Sequence, residues 1–437
     1  MHKTRVWDST PVPIGSVLAA AIFLGSMVLL LLRPRRVPDW AAALGGGLLL
    51  VVVGVLPWGD ALGQLAGSWN VFLFFLGLGL SAATADRAGV FRAAAEAAAR
   101  LGHGSQRRLL ISLYVAGALV TAVLSNDATA LLLTPVAFAV ATRLGLDPRP
   151  YAFACALVAN AASFLLPVSN PANLLVLSRA PLSLGAFGLR LLLPSVLAIA
   201  LTLAGLLIIF RAELAAPFAL RSVTPQRLER RTAVGLAGAG ALAIIYLIAS
   251  ALSWPLGVVA TFGALLLVTL DGAVGGWHPR ALLGEVPSTL FPLLAGLLLL
   301  VNGAERVGLV TPVVQMVEAS AHLGSTGLPL AALGMAVLAN VLNNLPAALI
   351  AASALGGLAP GIERSDLAAA VIVGVNLGPN LTTIGSLATM LWLVLMRRRG
   401  VEVSTLTYLR VGTVTTVPAL LAAVAGLWIM ARLIGGA

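Results

Sequence analysis

Long apolar runs separated by short polar gaps make up most of the chain. A helix of about 20 residues crosses a bilayer, and most of the runs approach or exceed that length. The runs fall into two sets of five, at 12–32, 38–56, 68–84, 152–178 and 186–210, and then at 232–250, 254–271, 286–303, 366–396 and 408–432. This pattern predicts an all-α polytopic membrane protein.

The two sets of runs repeat one another at a nearly constant offset. Residue 12 corresponds to residue 232, Asn126 to Asn344 and Asn170 to Asn380, so the spacing is nearly the same at all three pairs. Constant spacing of this kind indicates an internal repeat. We therefore predict two halves, 12–210 and 232–432. A linker, 211–231, joins them, and its five arginines suit a cytoplasmic connector.

Each half contains a polar interruption between its third and fourth runs. Segment 107–141 is interrupted around Ser125–Asp127, and segment 327–357 around Asn343–Pro346. Each segment is predicted to form two helical arms, which either cross the membrane fully or form a re-entrant hairpin. We favour re-entrant hairpins, because a tip at mid-depth supplies free N–H and carbonyl groups at helix ends.

The fourth run of each half is too long for one simple helix and is interrupted near its middle. Run 152–178 carries Asn170-Pro171, and run 366–396 carries Gly378-Pro379. Both are predicted to be broken helices. Unpaired polar groups are costly within a bilayer unless they line a cavity or bind something. Inverted repeats with paired discontinuous helices are a transporter design.

Basic residues favour one face of the membrane. With re-entrant hairpins each half crosses five times, so the second half is inverted, and 20 of the 27 Lys and Arg residues fall on one face. The richer face is expected to be cytoplasmic. The first run is predicted to be a retained helix rather than a cleaved signal peptide. We expect the protein to lie in the inner membrane of a prokaryotic cell, with both termini outside the cytoplasm.

Composition excludes several other classes of protein. Apolar residues form 59% of the chain, charged residues 10%, and the mean hydropathy is +1.02, so a solvated globular surface is not available. The net charge of +11 is explained by loop arginines rather than by a nucleic-acid partner. The single cysteine, Cys155, provides neither a disulfide nor a thiolate cluster.

Metal, cofactor and enzyme chemistry are not indicated by the sequence. The four histidines lie in predicted loops, so we expect no buried metal site and no cofactor. Lys3 is the only lysine, which excludes a Gly-rich phosphate loop, so ATP coupling would need a separate cytoplasmic ATPase subunit. One mid-membrane acid without a nearby nucleophile and base argues against catalysis, and we expect the protein not to be an enzyme.

Several polar motifs resemble those of a known transporter family. They are Asn126-Asp127 with Thr134-Pro135, Val168-Ser169-Asn170, Asn343-Asn344-Leu345-Pro346, and the stretch Leu377–Thr389 followed by Leu391-Trp392. Together they look like the ArsB-type arsenite/antimonite efflux permeases of the ion transporter superfamily. Two positions depart from the pattern expected for that family, since Asn380 stands in place of a lysine and Asn376 in place of an acid.

The resemblance implies an architecture and a mode of transport. The architecture is two inverted repeats whose hairpins and broken helices form a transport domain that moves against a scaffold of the first three runs of each half, 12–84 and 232–303. The implied activity is export of arsenite and antimonite by a proton-coupled secondary transporter. The alternative within the superfamily is a sodium-coupled carboxylate or anion carrier, or a sodium/proton antiporter.

A set of polar residues at the interruptions is the predicted substrate site. Its members are Ser125, Asn126, Ser169, Asn170, Asn173, Asn343, Asn344, Gly378, Asn380, Thr382 and Thr383. Any one of them alone is adequately explained as a group that satisfies a helix end. As a set of neutral donors and acceptors, they suit a small uncharged solute that is rich in hydroxyls, such as arsenous acid.

Asp127 is the acid that lies deepest in an apolar stretch of the sequence. An ionised carboxylate there costs ~3 kcal/mol or more unless it is compensated. Asp127 either caps the second arm of the first hairpin or binds and releases a proton during transport, and the two roles are compatible. Its counterpart in the second half is Leu345, so only one half carries an acid.

Overall fold

The computed structural model describes residues 14–32, 37–218, 228–252, 254–277, 288–360 and 362–435. These residues are helical, with no strand among them, which confirms the all-α prediction. They form two compact units, one within Met1–Ser68 and Ser288–Pro312, the other within Trp69–Pro287 and Val313–Ala437. Each unit takes helices from both predicted halves, so the two units are a different division from the predicted repeat.

The helices of the first half are bounded as follows. They are Ile14–Leu32, Asp39–Val52, Trp58–Gly67, Trp69–Arg87, Val90–Leu101, Gln106–Val123, Asn126–Ala128, Thr134–Arg143, Arg149–Ala161, Pro171–Leu177 and Leu184–Ile209. A π-helical turn, Thr129–Leu133, joins two of them, and a 3-10 turn covers Pro167–Ser169.

The helices described in the second half follow a similar order. They are Arg230–Ala251, Leu256–Gly275, Leu290–Arg306, Thr311–His322, Leu328–Leu342, Asn344–Gly357, Ser365–Leu377, Leu387–Arg398 and Thr405–Gly435. The 3-10 turns of this half are Gly324–Gly327 and Gly378–Leu381. The predicted inverted relation of the two halves stays a prediction.

Seven of the described helices are long and apolar enough to cross a membrane, or eight if Leu290–Arg306 and Thr311–His322 count as one span. Two of the seven begin the segments that are predicted to be hairpins: Gln106–Val123, and Gly324–Leu342 with its 3-10 turn included. The chain is therefore built as a multi-pass membrane protein. Length and composition suit either a full crossing or a hairpin arm at these two helices, so re-entrance stays a prediction.

Helices from the two halves pack closely inside each unit. In the smaller unit, Asp39–Val52 packs on Leu290–Arg306, and a Cβ at Gly296 would collide with the backbone of Ala43. In the larger unit, Trp69–Arg87 packs on Leu256–Gly275, where Asn70 Oδ1 accepts a hydrogen bond from the backbone N–H of Gly257 at 2.9 Å. Glycine at these contacts lets the two helix backbones approach closely. Close packing matters here because the hydrophobic effect does not drive helices together within lipid.

The broken spans of the larger unit pack reciprocally on the hairpin segments. Helix Pro171–Leu177, the second piece of the first broken span, packs on Asn344–Gly357 of the second hairpin segment. Helix Leu387–Arg398, the second piece of the second broken span, packs on the π-helical turn Thr129–Leu133 of the first hairpin segment. This exchange brings the interruptions of both halves into one region of the unit.

Two predictions fall partly on residues outside the described ranges. Residues 219–227 of the linker 211–231 are among them, and so is the segment that precedes Ile14. The cytoplasmic connector and the placement of both termini therefore stay predictions.

Candidate functional site

The tips of both hairpin segments begin with a residue whose side chain caps the following helix. Ser125 Oγ accepts a hydrogen bond from the N–H of Ala128 at 3.2 Å, and Asn343 Oδ1 accepts one from the N–H of Leu345 at 3.4 Å. Asn343 has a φ of +82°, which few non-glycine residues adopt. Its Nδ2 donates to the carbonyl of Ile384 at 3.2 Å, which holds this tip to the second broken span.

The next residue at each tip is an asparagine whose side-chain oxygen lacks a partner. Asn126 is 2% exposed and Asn344 is 3% exposed. The Oδ1 atom of each is buried and accepts no hydrogen bond from any described residue. A buried acceptor without a partner costs about 1–3 kcal/mol. The two groups occupy corresponding positions of the repeat, and Asn160 Oδ1 is a third buried amide oxygen without a partner among the described residues.

The third position differs between the tips. Asp127 is half-buried, and its carboxylate forms no hydrogen bond or ion pair with any residue in the described ranges. Leu345, its counterpart, is buried at 6% exposure. One tip therefore places a carboxyl group without a partner among the described residues next to the unpartnered amide in sequence, whereas the other places an apolar side chain there.

Asn376 connects the two broken spans through a dense set of hydrogen bonds. Its Oδ1 accepts from Ser163 Oγ at 2.7 Å and from Asn170 Nδ2 at 2.6 Å. Its Nδ2 donates to Asn173 Oδ1 at 2.8 Å and to the carbonyl of Ile372 at 2.7 Å. All of these side chains are buried, so the network uses their polar groups to hold the two interruptions together.

A second amide pair, Asn160 and Asn380, lies beside the first network. Asn160 Nδ2 donates to Asn380 Oδ1 at 2.9 Å and to Ser386 Oγ at 3.2 Å, and Asn380 Nδ2 donates to the carbonyl of Leu157 at 2.9 Å. Asn160 was not predicted as a site residue, because no Gly or Pro beside it marks a break in the sequence, although helix Arg149–Ala161 ends one residue later. The repeat could have found it, because Asn160 precedes Asn376 by nearly the same offset that separates Asn126 from Asn344.

The other predicted site residues are also mostly engaged within the protein. Ser169 Oγ accepts from the N–H of Leu166 and donates to the carbonyl of Ala122, each at 3.2 Å. Thr382 Oγ1 donates to Asn340 Oδ1 at 2.7 Å. A Cβ at Gly378 would lie 2.6 Å from Ala336, so this glycine permits close backbone contact.

Thr383 is the exception among these residues. It is half-buried and makes no side-chain hydrogen bond with any residue that the structure describes.

Both tips contact helix Leu387–Arg398 or the residues immediately before it. The short helix Asn126–Ala128 of the first tip packs against it, and Asn343 Nδ2 of the second tip lies 3.5 Å from Met390 Sδ. The backbone N–H of Asn344 also donates to the carbonyl of Gly385, immediately before this helix, at 2.9 Å. The tips of both halves therefore lie against the same piece of the second broken span.

Ion pairs of the larger unit lie away from the interruptions. Arg190 pairs with Asp366 at 2.7 Å, near the first turns of their helices, and Arg231 pairs with Asp271 at 2.7 Å near the ends of two spans. Among the described residues, no group of three His, Cys, Asp or Glu side chains could hold a metal ion. The groups at the tips are thus one carboxylate and several neutral amides and hydroxyls.

Comparison with known proteins identifies the family of the chain. The family model described as "Arsenical pump membrane protein" (ArsB) matches residues 18–431. The arsenical pump membrane proteins of Yersinia enterocolitica and Escherichia coli K12 are 29% and 28% identical to it, over 94% of this chain and 98% of each relative. An uncharacterized transporter of Mycobacterium tuberculosis is 26% identical, over 95% of this chain and 98% of its own length.

A solved structure shares the fold. The YdaH transporter of Alcanivorax borkumensis, whose crystal structure is described as having an unusual topology, superposes with a TM-score of 0.57 at 17% identity. The alignment covers 97% of this chain and 99% of that one. The fold agrees with the family match, which spans most of the sequence, and the chain belongs to the ArsB family of arsenical pump membrane proteins.

Proposed function

We propose that the protein exports trivalent arsenic and antimony as neutral hydroxides. The observation that carries this proposal is the pair of buried, unpartnered amides of Asn126 and Asn344. An amide side chain both donates and accepts hydrogen bonds, as does the hydroxyl of an undissociated metalloid hydroxide. Binding such a solute satisfies both amides without placing a second charge in the membrane interior.

The substrate contacts that we propose are a subset of those predicted from sequence. Asn126, Asn344 and Thr383 have side chains that are free to bind. The other eight residues position the interruptions, because hydrogen bonds or close backbone packing within the protein already engage them. They are Ser125, Ser169, Asn170, Asn173, Asn343, Gly378, Asn380 and Thr382.

Asp127 gives a physical route to proton antiport. The ionised carboxylate accepts a hydrogen bond from a substrate hydroxyl, whereas the protonated form has less capacity to accept. Proton entry from outside would therefore weaken substrate binding and favour release there. Loss of the proton on the cytoplasmic side would restore the acceptor. With alternating exposure of the tips to the two sides, this exchange couples inward proton movement to outward solute movement.

Transport into everted membrane vesicles tests the proposal. Vesicles prepared without ATP are given an acid interior and labelled arsenite, so that an ATPase subunit cannot supply the energy. We expect saturable uptake that stops when the proton gradient is collapsed. A vesicle with a sodium gradient and no proton gradient is the matched control. Uptake driven by sodium alone would contradict proton coupling and support the sodium-coupled alternative.

A further inference from the structure

A cavity outside the transport region lies between an amphipathic helix and the start of a membrane span. Its volume is about 240 Å³. Helix Val90–Leu101 forms one wall, and residues 228–236, which lead into Arg230–Ala251, form the other. None of the residues that line the cavity belongs to the hairpin tips or the broken spans. The cavity is therefore separate from the proposed substrate site.

The wall formed by Val90–Leu101 presents charged groups on one face. Arg92, Glu96 and Arg100 recur every four residues, so they form a single stripe along the helix. Phe91 and Ala95, on an adjacent face of the helix, are fully buried against the protein. The charged stripe is therefore fixed in place and faces the cavity.

The charges around the cavity are balanced and incompletely paired. Arg92 approaches Glu229 no closer than 3.9 Å, and their side chains are 57% and 70% exposed. Glu96 and Arg100 have no ion-pair partner in the described part of the chain. Two guanidinium groups and two carboxylates are thus available to a ligand that carries both an anionic and a cationic group.

Apart from Thr232, the rest of the lining is apolar, and it lies beside the ends of two candidate spans. Leu228 is 56% exposed and Leu236 is 37% exposed, and alanines of the opposite helix complete the surface. The cavity lies next to the last residues of one candidate span, Trp69–Arg87, and the first residues of another. A ligand here can place its polar end among the charges and its apolar end towards lipid.

We propose that this cavity binds the headgroup of a zwitterionic phospholipid that carries a primary ammonium group. Arg92 and Arg100 hold the phosphate, because guanidinium groups bind phosphate oxygens in a fixed fork geometry. Glu96 and Glu229 accept hydrogen bonds from the ammonium group. Leu228 and Leu236 contact the beginning of an acyl chain. An anionic headgroup without the ammonium would leave both carboxylates unpaired and is the poorer fit.

Lipid retention by the purified full-length chain tests this site. The probe is an equimolar mixture of phosphatidylethanolamine, phosphatidylcholine and phosphatidylglycerol with identical acyl chains, and bound lipid is measured by native mass spectrometry. We expect phosphatidylethanolamine to be retained preferentially. The double variant Arg92→Gln/Arg100→Gln should retain about tenfold less of it, the factor expected for losing charge-assisted contacts.

A matched variant separates this site from general charge effects. Arg107→Gln/Arg108→Gln removes the same charge from exposed positions that do not line the cavity, and it should retain phosphatidylethanolamine like the wild type. Glu96→Gln should reduce the preference for phosphatidylethanolamine over phosphatidylglycerol. Equal retention of the three lipids, preferred retention of phosphatidylglycerol, or an equal loss in the matched variant would overturn the proposal.

Competition on the wild-type protein covers the case in which a variant does not fold. Soluble phosphoethanolamine should displace the bound lipid at lower concentration than phosphocholine, whose quaternary ammonium donates no hydrogen bond to a carboxylate. Equal displacement by the two compounds would contradict the assignment of Glu96 and Glu229.

Discussion

The two hairpin tips have the same capping arrangement and the same buried asparagine, and they differ at the residue that follows. Each begins with a capping side chain, Ser125 or Asn343, and each continues with a buried asparagine whose Oδ1 has no partner among the described residues. The next residue is Asp127 in one tip and Leu345 in the other. The shared features belong to the repeat and to the proposed solute contacts. The difference confines the proposed proton handling to the first half.

The largest effect is expected when the carboxylate is removed. Asp127→Asn makes the first tip neutral, like the second, while keeping its size and its capacity to form hydrogen bonds. We expect export driven by a pH gradient to be abolished in everted vesicles, with the protein still present in the membrane at wild-type levels. Asp147→Asn removes a surface carboxylate and should leave export intact. Wild-type export by Asp127→Asn would end the proton-coupling proposal.

A large loss of stability is expected when the engaged amide of Asn376 is removed. Asn170 and Asn173 are buried and both form a hydrogen bond with the Asn376 side chain. Asn376→Ala removes both bonds, and each unsatisfied group should lower the free energy of unfolding by about 1–3 kcal/mol. The melting temperature of the purified protein should fall clearly. By contrast, Asn126→Ala removes an amide whose oxygen has no partner among the described residues, and it should leave the melting temperature unchanged or higher. The reverse order would contradict the division into positioning and binding residues.

A smaller effect is expected on substrate affinity when either free amide is removed. Asn126→Ala and Asn344→Ala each delete one proposed contact with a neutral hydroxyl. Each should weaken arsenite binding by about tenfold or less, which corresponds to one hydrogen bond. The apparent KM for arsenite uptake reports the change, and the two variants should resemble one another. Strong weakening in only one of them would show that the tips do not share the solute.

The smallest effect is expected at the only cysteine. Cys155 is fully buried in an apolar cluster, and Cys155→Ser keeps its size. Arsenite export should change little, because the thiol lies in the core rather than at a tip. A folded Cys155→Ser variant that exports no arsenite would indicate that the thiol coordinates the metalloid, and it would contradict solute binding at the hairpin tips alone.

Local sequence signals were enough to place the interruptions. Asn170-Pro171 predicts a break, and a helix begins at Pro171; Gly378-Pro379 predicts another, and helix Ser365–Leu377 ends immediately before it. Proline lacks a backbone N–H and disfavours helical geometry in the residue before it, so these signals act through neighbours in sequence. The positions of the breaks were therefore readable without tertiary information.

The pairing of the polar groups could not be read in the same way. Asn160 and Asn376 each lie one residue before the end of an apolar helix, and side chains that bind them come from the opposite half of the sequence. Eleven residues were predicted as one binding set, although tertiary contacts engage most of them within the protein. Whether an asparagine holds the fold or remains free for a ligand depends on packing between the two halves, which periodicity and local motifs do not encode.

Locating bound antimony is the most direct test of the shared site. Antimonite is a suitable probe because antimony scatters strongly, and the complex can be examined by crystallography or electron cryomicroscopy. We predict one antimony site beside helix Leu387–Arg398, with the antimonite hydroxyls within hydrogen-bonding distance of both the Asn126 and Asn344 amides. Antimony bound at Cys155, or at one tip while the other amide remains unpartnered, would contradict it.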